Sequence, residues 1–236
     1  IIASDGGGSD AIVYDVFASL STGDLNVSGA TTITTADNSS QLTLISTDAD
    51  ANTGPKLDLT RNSASPAAND ILGNIRFMGQ DSAGNSLSYV GIYSQLIDPT
   101  DGSEDGSLEV DVRLAGTNRS RILANATEII FNSDSQDLDF RVESDNLTHA
   151  LFVEGSSGNV IVGKDSTAIG TAGVAIGAAG FITITRSGET ALNLNRIASD
   201  GEVLAIYRGG TLNGSLGILN ANNLTISGTV ADHGGL

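Results

Sequence analysis

Leu108-Glu-Val-Asp-Val-Arg-Leu114 alternates apolar and charged side chains for seven residues without a break. Side chains in a strand alternate between faces, so this pattern gives one face to apolar company and the other to water. The same period recurs on both sides of it: Leu42/Leu44, Leu57/Leu59, Ile75/Phe77 and Val90/Ile92 before, then Leu138/Phe140/Val142, Val160/Val162, Ile182/Ile184, Leu192/Leu194, Leu216/Ile218 and Leu224/Ile226 after. Such one-sided runs mark antiparallel or solenoid sheets rather than parallel sheets buried on both faces. Helical periodicity is nearly absent. The one helix candidate is Pro66-Ala-Ala-Asn-Asp-Ile-Leu72, a turn or two long and marginal by itself.

The punctuation between runs agrees. Ser156-Ser-Gly158-Asn159, Ser199-Asp-Gly201, Arg208-Gly-Gly210 and Asn213-Gly214 are placed and composed as hairpin turns. Asp48 to Gly54 and Asp98 to Gly106 read as longer polar loops. Some units are near-copies: Leu25-Asn-Val-Ser-Gly29 returns as Leu224-Thr-Ile-Ser-Gly228, and Ala168-Ile-Gly-Thr-Ala-Gly173 returns as Ala175-Ile-Gly-Ala-Ala-Gly180. Repetition of small β units builds extended objects more readily than catalytic pockets.

Composition narrows the functions available. The 236 residues hold no Cys, which excludes disulfides, thiol catalysis and thiolate zinc. Aromatics are 4% with no Trp, so the apolar layers rest on Leu, Ile, Val and Ala. Thin layers, or a core shared between chains, suit that composition better than one thick globule. Net charge is −17, from 28 acidic and 11 basic residues, with no basic patch for a phosphate backbone. Nucleic acid is therefore not an expected partner, and the acidity fits a surface or extracellular protein. The most apolar window, Ala168 to Ile184, is too short and too rich in Gly to insert in a membrane as a helix. The chain starts at Ile1-Ile2 without a signal-peptide pattern and is expected to be a fragment of a longer polypeptide.

Soft boundaries divide the chain into a Gly/Ser/Asp-rich lead-in at 1–23, a large β module at 24–131, a strand–turn–strand unit at 132–163, an AIG repeat with a hairpin-rich unit at 164–228, and a tail at 229–236.

No cofactor is expected beyond a structural Ca2+, for which two acidic loops are candidates. Asp48, Asp50 and Asn52 have the 1-3-5 oxygen spacing of a calcium loop, but Gly falls at position seven rather than six and Leu59 stands where the closing Glu belongs. Asp98, Asp101, Glu104 and Asp105 gather more charge without fixed spacing. Across a threefold axis either cluster would be tripled. A solvated turn is the simpler reading of both. Carboxylates for glycoside cleavage abound but lie on turns or wet strand faces, with no aromatic platform in the sequence beside them. His149 and His233 have no nucleophile elbow to serve, and no phosphate-cradling glycine motif is present. The chain reads as a non-enzyme.

Three stretches resemble the tail-fibre and tail-spike proteins of marine bacteriophages: Leu42 to Asn62 with Asn69-Asp-Ile-Leu-Gly-Asn-Ile-Arg-Phe77 and Asp101 to Leu108; Leu138 to Asp145 with Leu151 to Gly163; and Ala191 to Gly201 with Gly214-Ser-Leu-Gly-Ile218. They cover about two thirds of the chain and are modular units shared among many fibres. The resemblance implies an elongated, all-β, modular fibre of β-sandwich or β-prism-like modules, an intertwined homotrimer located in the virion tail. Its partners would be other copies of itself, other tail proteins, and a host receptor or glycan. Such units often precede a self-cleaving C-terminal chaperone domain, whose catalytic residues are not in this chain. The AIG copies resemble head repeats of trimeric bacterial adhesins, which coil into a β-roll, so a cell-surface adhesin is the first alternative. A glycan-degrading spike is the second.

Overall fold

The computed structural model describes residues 27–221 and 223–228. The lead-in at 1–23 and the tail at 229–236 lie outside them. The chain divides into two compact units, Ile1–Asp58 and Leu59–Leu236. That division falls inside the expected 24–131 module.

The second unit is all-β, with no helix among the described residues, and carries three antiparallel meanders. The first sheet runs β1 (Asp70–Gln80), β2 (Ser86–Asp98), β3 (Asp105–Leu114), β4 (Thr117–Ala124) and β5 (Ile129–Phe131), in that order across the sheet. The second holds β6 (Phe140–Ser144), β7 (Leu147–Val153), β8 (Val160–Val162), β9 (Gly173–Gly177) and β10 (Phe181–Thr185). The third is β11 (Gly201–Arg208), β12 (Thr211–Leu219) and β13 (Asn223–Gly228). Every neighbour in space is a neighbour in sequence, so each sheet closes only short loops, the cheapest pairing entropically. The second sheet spans residue 164, where the composition placed a module boundary.

Turn chemistry sets the register. Ala115 and Gly116, with φ of 46° and 85°, make the two-residue loop between Leu114 and its partner Thr117. Gly209 and Gly210, at 59° and 81°, do the same between Arg208 and Thr211. Positive φ at both central residues matches the right-handed twist of the flanking strands. Asn213-Gly214, expected as a hairpin, instead lies inside β12. The turn has already been made at Gly209-Gly210, and Gly214 is needed because an added Cβ would sit 2.7 Å from the Ser227 carbonyl oxygen on β13.

Other expectations are corrected too. Residues 66–72 form no helix. Asn69 has φ 72°, its amide donates to the Leu96 carbonyl at 2.7 Å, and Ile71 and Leu72 enter an eleven-residue strand. A one-turn helix could not compete with that ladder. Leu42/Leu44, Leu57/Leu59 and Leu192/Leu194 lie in no strand. Their alternation encodes extended backbone, but a strand also needs a hydrogen-bonded neighbour, and among the described residues none pairs with them. The two AIG copies diverge: Ala175-Ile-Gly177 lies in β9, whereas Ala168-Ile-Gly170 lies in the irregular connection before it, so the segment does not coil as a β-roll.

The buried apolar side chains among the described residues are three: Phe152, Ile161 and Ala175. They are successive cross-strand partners on β7, β8 and β9. Beside them Lys164 is 5% exposed, and its Nζ donates to the carbonyls of Ala168 (3.1 Å) and Thr171 (3.4 Å). Thr185 Oγ1 donates to the Ile169 carbonyl at 2.7 Å. These bonds tie down the first AIG copy.

Candidate functional site

Register gathers apolar residues into cross-strand rows on one face of each sheet, while the row of Phe152, Ile161 and Ala175 lies on the opposite face of the second. In the first sheet, Ile75, Ile92, Val110, Ile122 and Phe131 form an unbroken row across all five strands. Phe77, Val90 and Val112 form the next row on that face, and Leu108, Ala124 and Ile129 the one on its other side. In the second sheet the row is Phe140, Val153, Val160, Ile176 and Ile182. In the third, Leu204, Leu216 and Ile226 are partners, as are Ile218 and Leu224.

These faces are open. Phe77 is 57% exposed, Phe131 55%, Ile129 66%, Ile182 67% and Leu224 70%. Among the described residues each strand packs mainly against its neighbours in its own sheet. Monomeric soluble proteins rarely leave a contiguous apolar patch above a few hundred Å2 uncovered. Here exposed apolar side chains recur on all three sheets. Sequence alternation identified these faces, but could not reveal how exposed they stay among the described residues.

The first and second sheets meet at a groove of about 510 Å3 lined by Ile122, Phe131, Leu138, Phe140 and Val153, with Arg121, Asp139 and Glu154 among its polar lining. The rings of Phe131 and Phe140 are 5.2 Å apart and tilted by 47°. This pair joins the last strand of one apolar face to the first strand of the next. Gly155 permits the close crossing beneath it: an added Cβ would lie 2.5 Å from the Leu138 backbone nitrogen.

The opposite face of the first sheet is polar. Asn74, Tyr93, Glu109 and Leu123 share one row, and Arg76, Gly91, Asp111 and Ser120 the next. Burial, then a hydrogen bond to Glu109 and its charge, push the Tyr93 hydroxyl well above its ordinary range. Burial also raises the Asp111 carboxyl, helped by Glu109 and Asp134. Ser120, 4% exposed, donates its amide to Asp134 at 3.2 Å. Glu109-x-Asp111 was legible as a charged strand face, but its meeting with Asp134 depends on register.

The calcium candidates are placed as follows. Asp98 ends β2 directly opposite Asp105, which starts β3. Hydrogen bonds from Thr100, one from its amide at 2.9 Å, hold the Asp98 carboxyl below its usual range. Hydrogen bonds from the amides of Glu104 and Gly102 lower Glu104, with Asp98 opposing. In the other loop, Asp50 N donates to Asp48, and Asn52 donates to Asp50 through its amide at 2.8 Å and its side chain at 2.6 Å. Both sets spend oxygens on their own turns, and among the described residues no three carboxylates or histidines gather as a metal would require. His149 lies 3.0 Å from Thr148 Oγ1 and meets the Phe152 ring edge-on at 4.9 Å. His233 lies outside the described residues.

No family model, curated protein or solved structure matches the chain.

Proposed function

We propose that this chain is a structural segment of a phage tail fibre or spike, assembled as a homotrimer, which spaces or carries the part that binds a receptor or glycan on the host surface. The observation that supports this most is the set of exposed apolar sheet faces beside three buried apolar side chains among the described residues. The first sheet's face alone exposes on the order of 500 Å2, or about 12 kcal/mol of unrealised burial at 25 cal/mol per Å2. Conformational entropy must be offset somewhere, and the burial missing within one chain is available between copies. The unpaired alternating segments at 42–44, 57–59 and 192–194 have the same explanation: strands whose partners belong to another copy.

The fibre assignment draws on the resemblance of the three sequence stretches, now seen to belong to short antiparallel meanders and extended segments. The adhesin alternative rests on the two AIG copies, and these do not fold alike. In this proposal the chain is not an enzyme, inserts in no membrane and needs no cofactor. Sedimentation velocity and negative-stain electron microscopy test it. A trimeric, rod-like particle is expected. A compact, stably folded monomer would overturn it.

A further inference from the structure

Charge is distributed unequally over the edges of the three sheets. Each sheet opens on a strand that carries one acid and one base: Asp70 and Arg76 on β1, Arg141 and Glu143 on β6, Glu202 and Arg208 on β11. Each closes on a strand that carries neither, namely β5, β10 and β13. An arginine is also engaged at every opening strand. Arg61 pairs with Asp70 at 2.8 Å and donates to the Ile71 carbonyl at 3.3 Å. Arg141 pairs with Glu143 at 2.7 Å, and Arg196 donates to the Glu202 carbonyl at 3.3 Å. Charged side chains on an edge strand discourage a further strand from adding there, whereas an uncharged edge is a template for one.

The third sheet carries this contrast furthest. Across 209–231 no residue is charged, in a chain of net charge −17. A second copy, itself acidic, meets little like-charge repulsion from such a stretch. On β13, Leu224 is 70% and Ile226 50% exposed, and no further strand pairs beyond it among the described residues. Ala191-Leu-Asn-Leu-Asn195 matches that edge. It is uncharged, lies in no strand, and leaves Leu192 and Leu194 exposed at the same two-residue spacing. In its own chain the segment leads toward β11, the opposite edge of the sheet, where Arg196 holds the Glu202 carbonyl. We propose that residues 191–195 of a second copy add to β13 as a fourth strand of the third sheet, with Leu192 and Leu194 extending the rows that end at Leu224 and Ile226. The proposal rests on the homo-oligomeric reading above and names the strand and the edge through which copies join. A leading segment on a trailing edge is a head-to-tail contact, which repeats from copy to copy and can close as a ring.

The chain has no Cys, so introduced cysteines report without background. With the leucines aligned, Asn193 falls opposite Thr225 whichever way the added strand runs, and facing residues on neighbouring strands lie within disulfide reach. The full chain carrying both Asn193→Cys and Thr225→Cys is expected to give covalent oligomers on mild oxidation, read on a denaturing, non-reducing gel. Full-length chains carrying one cysteine each are then refolded together. Asn193→Cys with Thr225→Cys is expected to cross-link about tenfold faster or more than Asn193→Cys with Glu143→Cys on the charged β6 edge, because a docked pair is held at high effective concentration. In the unsubstituted chain, β13 amides are expected to exchange about tenfold slower or more when assembled than when diluted apart, as edge groups gain partners. Three results overturn the strand assignment while leaving the oligomer reading standing: a disulfide formed within one chain, cross-linking no faster than the β6 control in protein that sediments as an oligomer, or β13 exchange indifferent to assembly. A wild-type chain that sediments as a monomer overturns both readings together.

Discussion

Replacing Phe131 by Ala separates an isolated chain from an assembled one. In the chain alone Phe131 is 55% exposed and its main companion is Phe140, at 5.2 Å. Losing half of a phenylalanine's burial costs about 1 kcal/mol, and the aromatic pair adds about 0.5–1 kcal/mol, with no closed cavity left behind. If another copy seals the face, the same change removes a fully buried ring and costs about 3–5 kcal/mol per copy. The extra cost, about 2 kcal/mol per copy by difference, belongs to association and multiplies over the copies. Phe152→Ala is the control. Phe152 is 6% exposed, packed within one chain beside Ile161 and Ala175, and its loss should cost about 3–5 kcal/mol at any protein concentration. Urea unfolding at two concentrations a hundredfold apart reads both. Phe131→Ala should lower the midpoint strongly and in a concentration-dependent way, and should shift sedimentation toward smaller species. A loss near 2 kcal/mol that is the same at both concentrations would refute the shared-face argument.

Asp111→Asn should melt higher than the wild type at pH 7. Burial and Glu109 raise the folded-state carboxyl above its ordinary range, so the ionised form opposes folding, and that opposition is relieved as falling pH protonates it. The gap between the two melting curves should close near pH 4 and below; a gap that widens on acidification would contradict the sign. Gly155→Ala should destabilise by about 1–3 kcal/mol, because its Cβ would press on the Leu138 backbone rather than on a side chain that can swing away. A thermal melt unchanged within about 0.5 kcal/mol, the usual range for a neutral surface change, would mean the crossing is looser than drawn. Lys164→Met should cost about 1–3 kcal/mol by leaving the Ala168 and Thr171 carbonyls without their donor. Hydrogen exchange across 165–172 should rise while that of β7 and β8 does not.

The sheets were legible because their signals are local. Leu108 to Leu114 alternates strictly and forms β3, and Arg208-Gly-Gly210 makes the hairpin that its glycines predict. Signals that depend on the rest of the chain were not legible. Asn213-Gly214 has turn chemistry but sits where β13 approaches closely, and a strand interior uses its glycine for space. Ala168-Ile-Gly170 and Ala175-Ile-Gly177 share a sequence and differ in fate. Ala175 pairs with Ile161 and is fully buried, whereas the earlier copy serves the ammonium of Lys164 with a carbonyl. The groove was the least visible feature. It needs Arg121 from β4, Phe131 from β5, Leu138 from the connection and Phe140 from β6 to converge, and no spacing in the sequence announces that.

The corrected strands and the open faces have a common cause. Leu42, Leu44, Leu57, Leu192 and Leu194 alternate as strands do, yet pair with nothing, and each is at least 47% exposed. Had they been solvated loops, selection for solubility would favour polar side chains at those positions, as it has at Asp48 to Asn52. Apolar alternation without a partner specifies one face to be buried and two backbone edges to be bonded. Among the described residues neither is supplied. The edge strands β1 and β5, β6 and β10, and β11 and β13 likewise have no further strand paired beyond them among the described residues. Unpaired strands, unpaired edges and uncovered faces are complementary needs, and further copies of the same chain can meet all three at once. In the proposed homotrimer, symmetric assembly would make this sequence locally and globally consistent.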